Sequence, residues 1–479
     1  MTRILENFID GRFVSGSALE HRDVRNPANG ALLAQMPLST AAGVEEALAA
    51  ARRAQPAWEA LPAIQRAGYL RRIAGLIRDN AGPLAETITR EQGKVLALAQ
   101  VEVAFTADYM DYMAEWARRI EGEVIPSDRV GESIFLMRRA IGVTAGILPW
   151  NFPFFLIARK MAPALVTGNT IVVKPSEETP INAFDFARLV QQAELPAGVF
   201  NLVGGDGATA GASLAASRQV NLVSFTGSVA TGKRIMAAAA PNLTRVNLEL
   251  GGKAPAIVTA NADLDLAAKA ICDSRVINTG QVCNCAERVY VARAVATEFT
   301  EKVAARMAEV RYGDPIADPS VHMGPLVNRQ GLDKVAGMVE RARAEGAEVL
   351  MGGSVAPTEQ GFHYLPTVLF DCRHDMEVMR AEIFGPVLPI QVVDGLDEAI
   401  ALSNDSDYGL TSSIFSRDLA EVMQACNGLK FGETYVNREH FEAMQGFHAG
   451  RRHSGIGGAD GKHGLLEYTE TQVVYMQHG

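Results

Sequence analysis

Cys283 sits in the stretch Ile277-Asn278-Thr279-Gly280-Gln281-Val282-Cys283-Asn284-Cys285, just after a Gly-Gln turn and among small and polar neighbours. A cysteine there can act as a nucleophile if it becomes a thiolate and stays accessible. The competing reading is a buried core cysteine, since free Cys is among the most buried residue types. Cys283-x-Cys285 could also bind a metal or act as a redox pair. No second Cys or His pair stands at zinc spacing, so no metal is expected. Upstream, Leu248-Glu249-Leu250-Gly251-Gly252-Lys253 supplies a carboxylate in a glycine-bounded turn.

Three further stretches carry groups suited to binding or polarising a ligand. Lys174-Pro175-Ser176-Glu177 ends an apolar run, and its Lys and Glu could bracket the hydroxyls of a ribose. Phe225-Thr226-Gly227-Ser228 ends another run, where backbone N–H groups and a hydroxyl at a helix start would stabilise a pyrophosphate. An ordinary strand-to-helix turn is the alternative for both. A G-x-G-x-x-G fingerprint is absent, and Gly204-Gly205-Asp206-Gly207 is a partial echo. In Pro149-Trp150-Asn151-Phe152-Pro153 the Asn151 amide could donate to a developing oxyanion, or could hold an Asx turn.

These groups need a scaffold. A chain of 479 residues implies two or three domains. Hydrophobic content of 48% and charged content of 21% suit a soluble globular enzyme, and a net charge of −10 argues against a nucleic-acid partner. Five cysteines make no disulfide framework at this length, which suits a reducing compartment. Met1 to Asn7 has no apolar signal region and no run is long enough for a transmembrane helix, so a cytoplasmic location and no membrane partner are expected.

Phe8 to Val14 reads as a hairpin turning at Asp10-Gly11, and Asn26 to Gly30 as a loop. Helices are expected over 39–58 (capped by Ser39 or Thr40), 66–79, 84–92 and 95–119, the second and third split at Gly82-Pro83. Tyr109, Tyr112 and Trp116 read as core. Residues 122–140 suggest an exposed two-stranded arm suited to pairing with another subunit. From Gly142, strands over 143–148, 170–174, 199–203, 220–225 and 245–250 alternate with helices, as in a doubly wound parallel sheet. A second α/β set follows Gly252, with strands over 254–258, 288–291, 348–351, 367–370, 387–392 and 412–415, and a last strand lies at 472–476. The expected fold is therefore α/β with two doubly wound parallel-sheet domains and a small β oligomerisation arm. The boundaries are 1–119 with 141–250 for the cofactor domain, 251–450 for the catalytic domain, and 120–140 with 465–479 for the arm.

Asn151, the Lys174 and Phe225 stretches, Leu248 to Lys253, Gly280 to Cys283 and Glu382-Ile383-Phe384-Gly385-Pro386-Val387 occur in this order. Together they resemble the NAD(P)-dependent aldehyde dehydrogenase superfamily over essentially the whole chain. The resemblance implies Cys283 as nucleophile, Glu249 as general base, and Asn151 with the Cys283 backbone N–H as oxyanion donors. It implies a cofactor cleft formed by Trp150, Lys174, Ser176, Glu177, Gly227, Ser228, Leu250, Glu382 and Phe384. Relatives that pass the acyl group to coenzyme A usually lack the glutamate, so Glu249 favours release of a free acid. Glu177 should repel a 2′-phosphate, favouring NAD.

The family's aldehyde tunnel is usually apolar, and this chain departs from that. Arg159 lies about two helical turns on from Asn151. Asn284 follows the nucleophile, and Glu442 and His448 fall where relatives commonly carry aromatic residues. The four are expected to form a polar pocket for a small hydroxylated aldehyde, the alternative being an Arg159–Glu442 structural ion pair. The local strings 154–160, 441–448 and 101–109 look like a bacterial lactaldehyde/glycolaldehyde dehydrogenase subgroup. The expected activity is oxidation of such an aldehyde to its acid by a homodimer or homotetramer. A semialdehyde dehydrogenase, for example on succinic semialdehyde, is the second reading, because Arg159 could pair a substrate carboxylate. A non-catalytic binding protein on the same fold is the third.

Overall fold

The computed structural model describes residues 2–14, 18–358 and 360–478. Its first large sheet has a parallel centre. Arg245–Glu249, Leu222–Thr226, Val143–Ile147, Thr170–Lys174 and Phe200–Leu202 lie side by side in that order. The β-branched runs that suggested buried strands are covered along their length, apart from Thr226 at the carboxyl end of Leu222–Thr226, as expected of parallel strands between helical layers. Antiparallel strands close both edges: Gly455–Ile456 on one side, Asn7–Ile9 with Arg12–Val14 on the other. The last two form the expected hairpin, with Asp10 and Gly11 at φ 54° and 77°.

The order reverses direction between Val143–Ile147 and Leu222–Thr226, which are neighbours although far apart in sequence. Loops leaving the carboxyl ends of two strands diverge at such a point and open a crevice. Asn151 follows the first of these strands and Ser228 the second.

The second sheet runs Glu348–Met351, Thr367–Phe370, Val387–Val393, Ala286–Ala292, Ala254–Val258, Thr411–Phe415 and Glu433–Val436, parallel except for its first strand. The fold is therefore α/β with two largely parallel sheets. A third, antiparallel sheet joins Glu123–Pro126, Glu132–Ala140 and the terminal Thr469–Gln477.

Helix boundaries follow local chemistry. The helix Ala41–Ala60 is capped by the Thr40 hydroxyl, which accepts from the Gly43 N–H. The break between Ala63–Asp79 and Ala81–Gln92 falls at Asn80, not at Gly82-Pro83. Pro83 is tolerated because a first-turn N–H has no intrahelical acceptor. Tyr109 is buried in the helical core, with Tyr112 and Trp116 packed against it. A small sheet of Arg3–Ile4, Leu32–Ser39 and Ala18–Arg25 was not expected, since Pro37 interrupts the strand pattern. Glu433–Val436 was also not expected, being short and opened by a charge.

Candidate active site

The turn before Cys283 is bent by three successive left-handed residues, Asn278, Thr279 and Gly280, at φ 48°, 60° and 72°. Asn tolerates this conformation and Thr does so at a cost. At Gly280 no side chain fits, because a Cβ would lie 2.2 Å from the Gly385 carbonyl oxygen. The Cys283 turn is thus pressed against the segment carrying Glu382 and Phe384.

A buried carboxylate ties these segments together. Glu287 accepts from Lys253 Nζ at 2.7 Å and Arg275 Nη1 at 2.8 Å, and from the Ile383 and Phe384 N–H groups at 2.9 and 3.1 Å. Burial opposes its charge, but Lys253 and Arg275 outweigh burial and hold its pKa at about 2. The Asn151 loop has a similar anchor. Lys94 Nζ donates to Glu102 at 2.6 Å and to the Asn151 carbonyl at 2.7 Å, while Glu102 caps the next helix through the Phe154 and Phe155 N–H groups.

Two cavities meet at Asn151, Thr226 and Cys283, which line both. The larger, of about 310 Å³, lies in the crevice at the strand-order reversal and also reaches Trp150, Gly227, Ser228, Leu250, Glu382 and Phe384. Trp150 and Phe384 meet edge to face at 5.4 Å. Ser228 caps the helix Val229–Ala239 by accepting from the Thr231 N–H, leaving that helix start facing the cavity. Gly251 provides clearance, since a Cβ there would come within 2.6 Å of Glu382 Oε2. Lys174, Ser176 and Glu177 are not part of this lining. They lie at the end of the strand Thr170–Lys174, where Lys174 Nζ donates to Glu177 at 3.2 Å.

The smaller cavity, of about 70 Å³, combines Phe105, Phe155 and Phe441 with the polar Arg159, Glu442 and His448. Arg159 Nε donates to Asp460 Oδ1 at 2.9 Å, and its Nη2 contacts Asp460 Oδ2 and, at 3.4 Å, Glu442. The ion pair considered as an alternative is therefore present, and the same guanidinium still lines the cavity. Asn284 does not line it. Its Nδ2 instead holds Glu442 from behind, because the residue after the nucleophile turns away from the cleft. Glu249 lines the larger cavity beside Cys283, and neither of its buried oxygens takes a hydrogen bond from a described residue.

The model of the aldehyde dehydrogenase family matches residues 13–474. The chain belongs to the aldehyde dehydrogenase family. Lactaldehyde dehydrogenase of Escherichia coli K12 is 59% identical over 470 residues, covering 98% of each chain. A crystal structure of lactaldehyde dehydrogenase from Escherichia coli superposes with a TM-score of 0.98 at 58% identity, covering 100% of both chains. The structure of 3,6-anhydro-L-galactose dehydrogenase in complex with NAP follows at a TM-score of 0.97 and 43% identity, covering 99% of this chain and 100% of that one.

In this aldehyde dehydrogenase four titratable groups line the two adjoining cavities: Glu249 and Glu382 the larger, His448 the smaller, and Cys283 both. Burial raises the Glu249 carboxyl to about 7 against the pull of His448 and Arg159. Burial likewise raises Glu382 to about 7, with Glu287 adding to it. Burial pushes the Cys283 thiol up, and His448 in the same cavity pulls it part of the way back. Burial and Arg159 oppose charge on His448, yet Cys283 and Glu433 hold it well above the ordinary histidine value.

Sequence reasoning missed Asp460, which pairs Arg159, and Glu433, which contacts His448 Nδ1 at 2.5 Å. It also missed the Lys94–Glu102 and Lys253–Glu287–Arg275 networks. Isolated acidic residues give no signal, whether before a short helix, as Asp460 is, or opening a short strand, as Glu433 does. Lys94 and Lys253 each follow a glycine and are buried, which hydropathy does not reveal.

Proposed function

We propose that this protein oxidises a short 2-hydroxyaldehyde, lactaldehyde or glycolaldehyde, to the carboxylic acid, with Cys283 as nucleophile. The observation that carries this reading is the small cavity at Cys283, whose polar wall is Arg159, Glu442 and His448. The likeness to a lactaldehyde dehydrogenase over nearly the whole chain supports it. A hydroxyl beside the carbonyl can hydrogen-bond to those groups, whereas an alkyl chain would bury their charges further without offering a partner, which is disfavoured.

Attack of the thiolate on the aldehyde carbon forms a thiohemiacetal. The Asn151 Nδ2 already donates one N–H to the Gln281 carbonyl at 3.0 Å, which holds its second N–H toward the developing oxyanion, together with the Cys283 N–H. A nicotinamide cofactor, when bound, supplies the hydride acceptor. The helix start at Ser228 and the Trp150–Phe384 pair suit a dinucleotide. The resulting thioester needs water and a base, the role assigned to Glu249.

Rates across an aldehyde panel test this. We expect kcat/KM for lactaldehyde or glycolaldehyde to exceed that for hexanal and for succinic semialdehyde. Equal or reversed preference would remove the polar-pocket reading. The semialdehyde alternative is weakened because Asp460 and Glu442 already neutralise Arg159, leaving little net charge for a substrate carboxylate.

NAD is the proposed cofactor. Lys174 outweighs burial and holds Glu177 below the usual carboxylate range, so it is ionised at neutral pH and would repel a 2′-phosphate. Glu177→Gln should narrow the NAD-over-NADP ratio of kcat/KM by about tenfold, since like-charge contacts cost on the order of kcal/mol. An unchanged ratio would reassign that selectivity.

The proposed domains are 1–119 with 141–250 for the cofactor and 251–450 for catalysis, in a cytoplasmic enzyme. A homodimer or homotetramer is proposed through the three-stranded sheet. Its strands expose Val124, Ile125, Met137, Val473, Tyr475 and Met476, an apolar face suited to a second copy of the chain. Light scattering showing a monomer at micromolar concentration would overturn this.

A further inference from the structure

Lys94 and Glu102 form an ion pair with no exposed side-chain surface, beside the Asn151 loop to which neither belongs. Replacing such a buried pair by apolar side chains of the same volume is often neutral or stabilising, so stability alone gives no reason for charge here. The other contacts of the pair supply one. Lys94 Nζ lies 2.6 Å from Glu102 Oε2, donates to the Asn151 carbonyl at 2.7 Å and sits 3.7 Å from the centre of the Phe152 ring. Glu102 Oε1 accepts from the Phe154 and Phe155 N–H groups at 2.9 and 3.1 Å. The pair thus holds residues 151–155 at both ends. Glu102 also reaches the wall of the smaller cavity, but both of its oxygens are taken, so it is not a base for the substrate.

We propose that Lys94, held by Glu102, sets the position of the Asn151 amide relative to the Cys283 turn and so tunes the oxyanion donor. This rests on Asn151 being that donor and on Cys283 being the nucleophile. Lys94 and Glu102 are then positioning residues acting through Asn151.

The contacts of Asn151 show what the ammonium controls. Its Oδ1 accepts from the Phe152 N–H at 3.1 Å and its Nδ2 donates to the Gln281 carbonyl at 3.0 Å, which fixes the plane of the amide. Its backbone carbonyl accepts from Lys94 Nζ and, at 3.1 Å, from Asn278 Nδ2 in the turn before Cys283. The backbone at Lys94 is referenced to that same turn. Gly324 packs so closely on Gly93 that a Cβ on it would lie 1.8 Å from the Gly93 carbonyl oxygen. The Gly324 and Pro325 carbonyls in turn accept from Thr279 Oγ1 at 3.0 Å and from Gln281 Nε2 at 3.4 Å. Lys94 is thus anchored against the Cys283 turn on one side and holds the Asn151 loop on the other. A charge-assisted hydrogen bond is stronger than the neutral one from Asn278, so the ammonium decides where the carbonyl sits. Misplacing a reacting group by about 1 Å costs about 10²-fold in rate, so that placement has a kinetic consequence.

The test removes both charges together, because losing one partner would leave the other buried and unpaired. In Lys94→Met/Glu102→Gln of the full-length protein, we expect the single-turnover rate of NADH formation at saturating lactaldehyde and NAD to fall about 10–100-fold. The NAD Kd and the iodoacetamide alkylation rate of Cys283 should stay within about twofold, since neither process forms an oxyanion. A general loosening of the site would move both, and that result overturns the proposal. Asn151→Ala should itself cost ~10²–10³-fold, and on that background the pair change should cost less than about threefold, because no donor is left to misplace. A parent-like rate in the pair variant, or an equal loss on both backgrounds, also overturns the proposal. If the pair variant fails to fold by circular dichroism, Glu102→Gln alone is carried through the same cycle and decides. A slow Asn151→Ala beside a parent-like pair variant would sink this proposal and leave the reading of the donor intact. A parent-like rate in Asn151→Ala would sink that reading, and this proposal with it.

Discussion

Cys283→Ala is expected to lower aldehyde oxidation by at least ~10⁴-fold, measured as NADH absorbance, while leaving cofactor binding within about twofold. The size follows from what is removed. Without the sulfur there is no covalent adduct, and a hydrated aldehyde would have to lose hydride unaided. Cofactor affinity should persist because most of the larger cavity, including Trp150, Ser228, Glu382 and Phe384, lies on other segments. The fold should also persist, since Cys283 is only partly buried and an alanine leaves its turn unstrained. Turnover near the parent rate would overturn the assignment of the nucleophile.

Glu249→Gln is expected to stall the enzyme after the first oxidation. Acylation can proceed, so one equivalent of NADH should appear in a burst, followed by a steady rate about 10²–10⁴-fold below the parent. Mass spectrometry of the stalled protein should show the acyl group on Cys283. The pH dependence has a definite sign. Burial raises Glu249 to about 7, and only its ionised form can take a proton from water. The deacylation rate should therefore increase as pH rises through about 7 and fall about tenfold per unit below it. In Glu249→Gln this limb should vanish. A parent enzyme whose deacylation is flat from about pH 5 to about pH 8 would remove Glu249 as the base.

Much of the scaffold was legible because its signals are local. The strands Val143–Ile147 and Thr170–Lys174 are β-branched runs bounded by Gly, Asn or Pro, and they fold as such. The hairpin at Asp10-Gly11 needed two left-handed residues, and its sequence supplies types that accept them. The unexpected strands were those whose pattern conflicts with their state. Leu32–Ser39 contains Pro37, and Glu433–Val436 is four residues opened by a charge. Both gain their state from neighbours already in a sheet.

At the site the division runs along the same line. The types Cys283, Glu249, Asn151, Arg159, Glu442 and His448 stand in the chain, and order along it was enough to group them. Their pairings were not legible. Asp460 meets Arg159 and Glu433 meets His448 because the segment carrying residues 442–460 folds back over the helix Phe155–Val166 and onto the strand edge. Arg159 and Asp460 are 301 positions apart and Glu433 and His448 are 15 apart, and both contacts depend on how sheets and loops dock, which no local pattern encodes.

The sequence by itself therefore determined the α/β elements, the family and the reacting side-chain types, since these are set by periodicity, turn chemistry and short motifs. Only the tertiary structure decided the protonation landscape: which carboxylate is buried, which cation is neutralised, and which imidazole shares a cavity with the sulfur. Those properties depend on burial and on distances of a few ångströms, and both come into being only when the chain closes on itself.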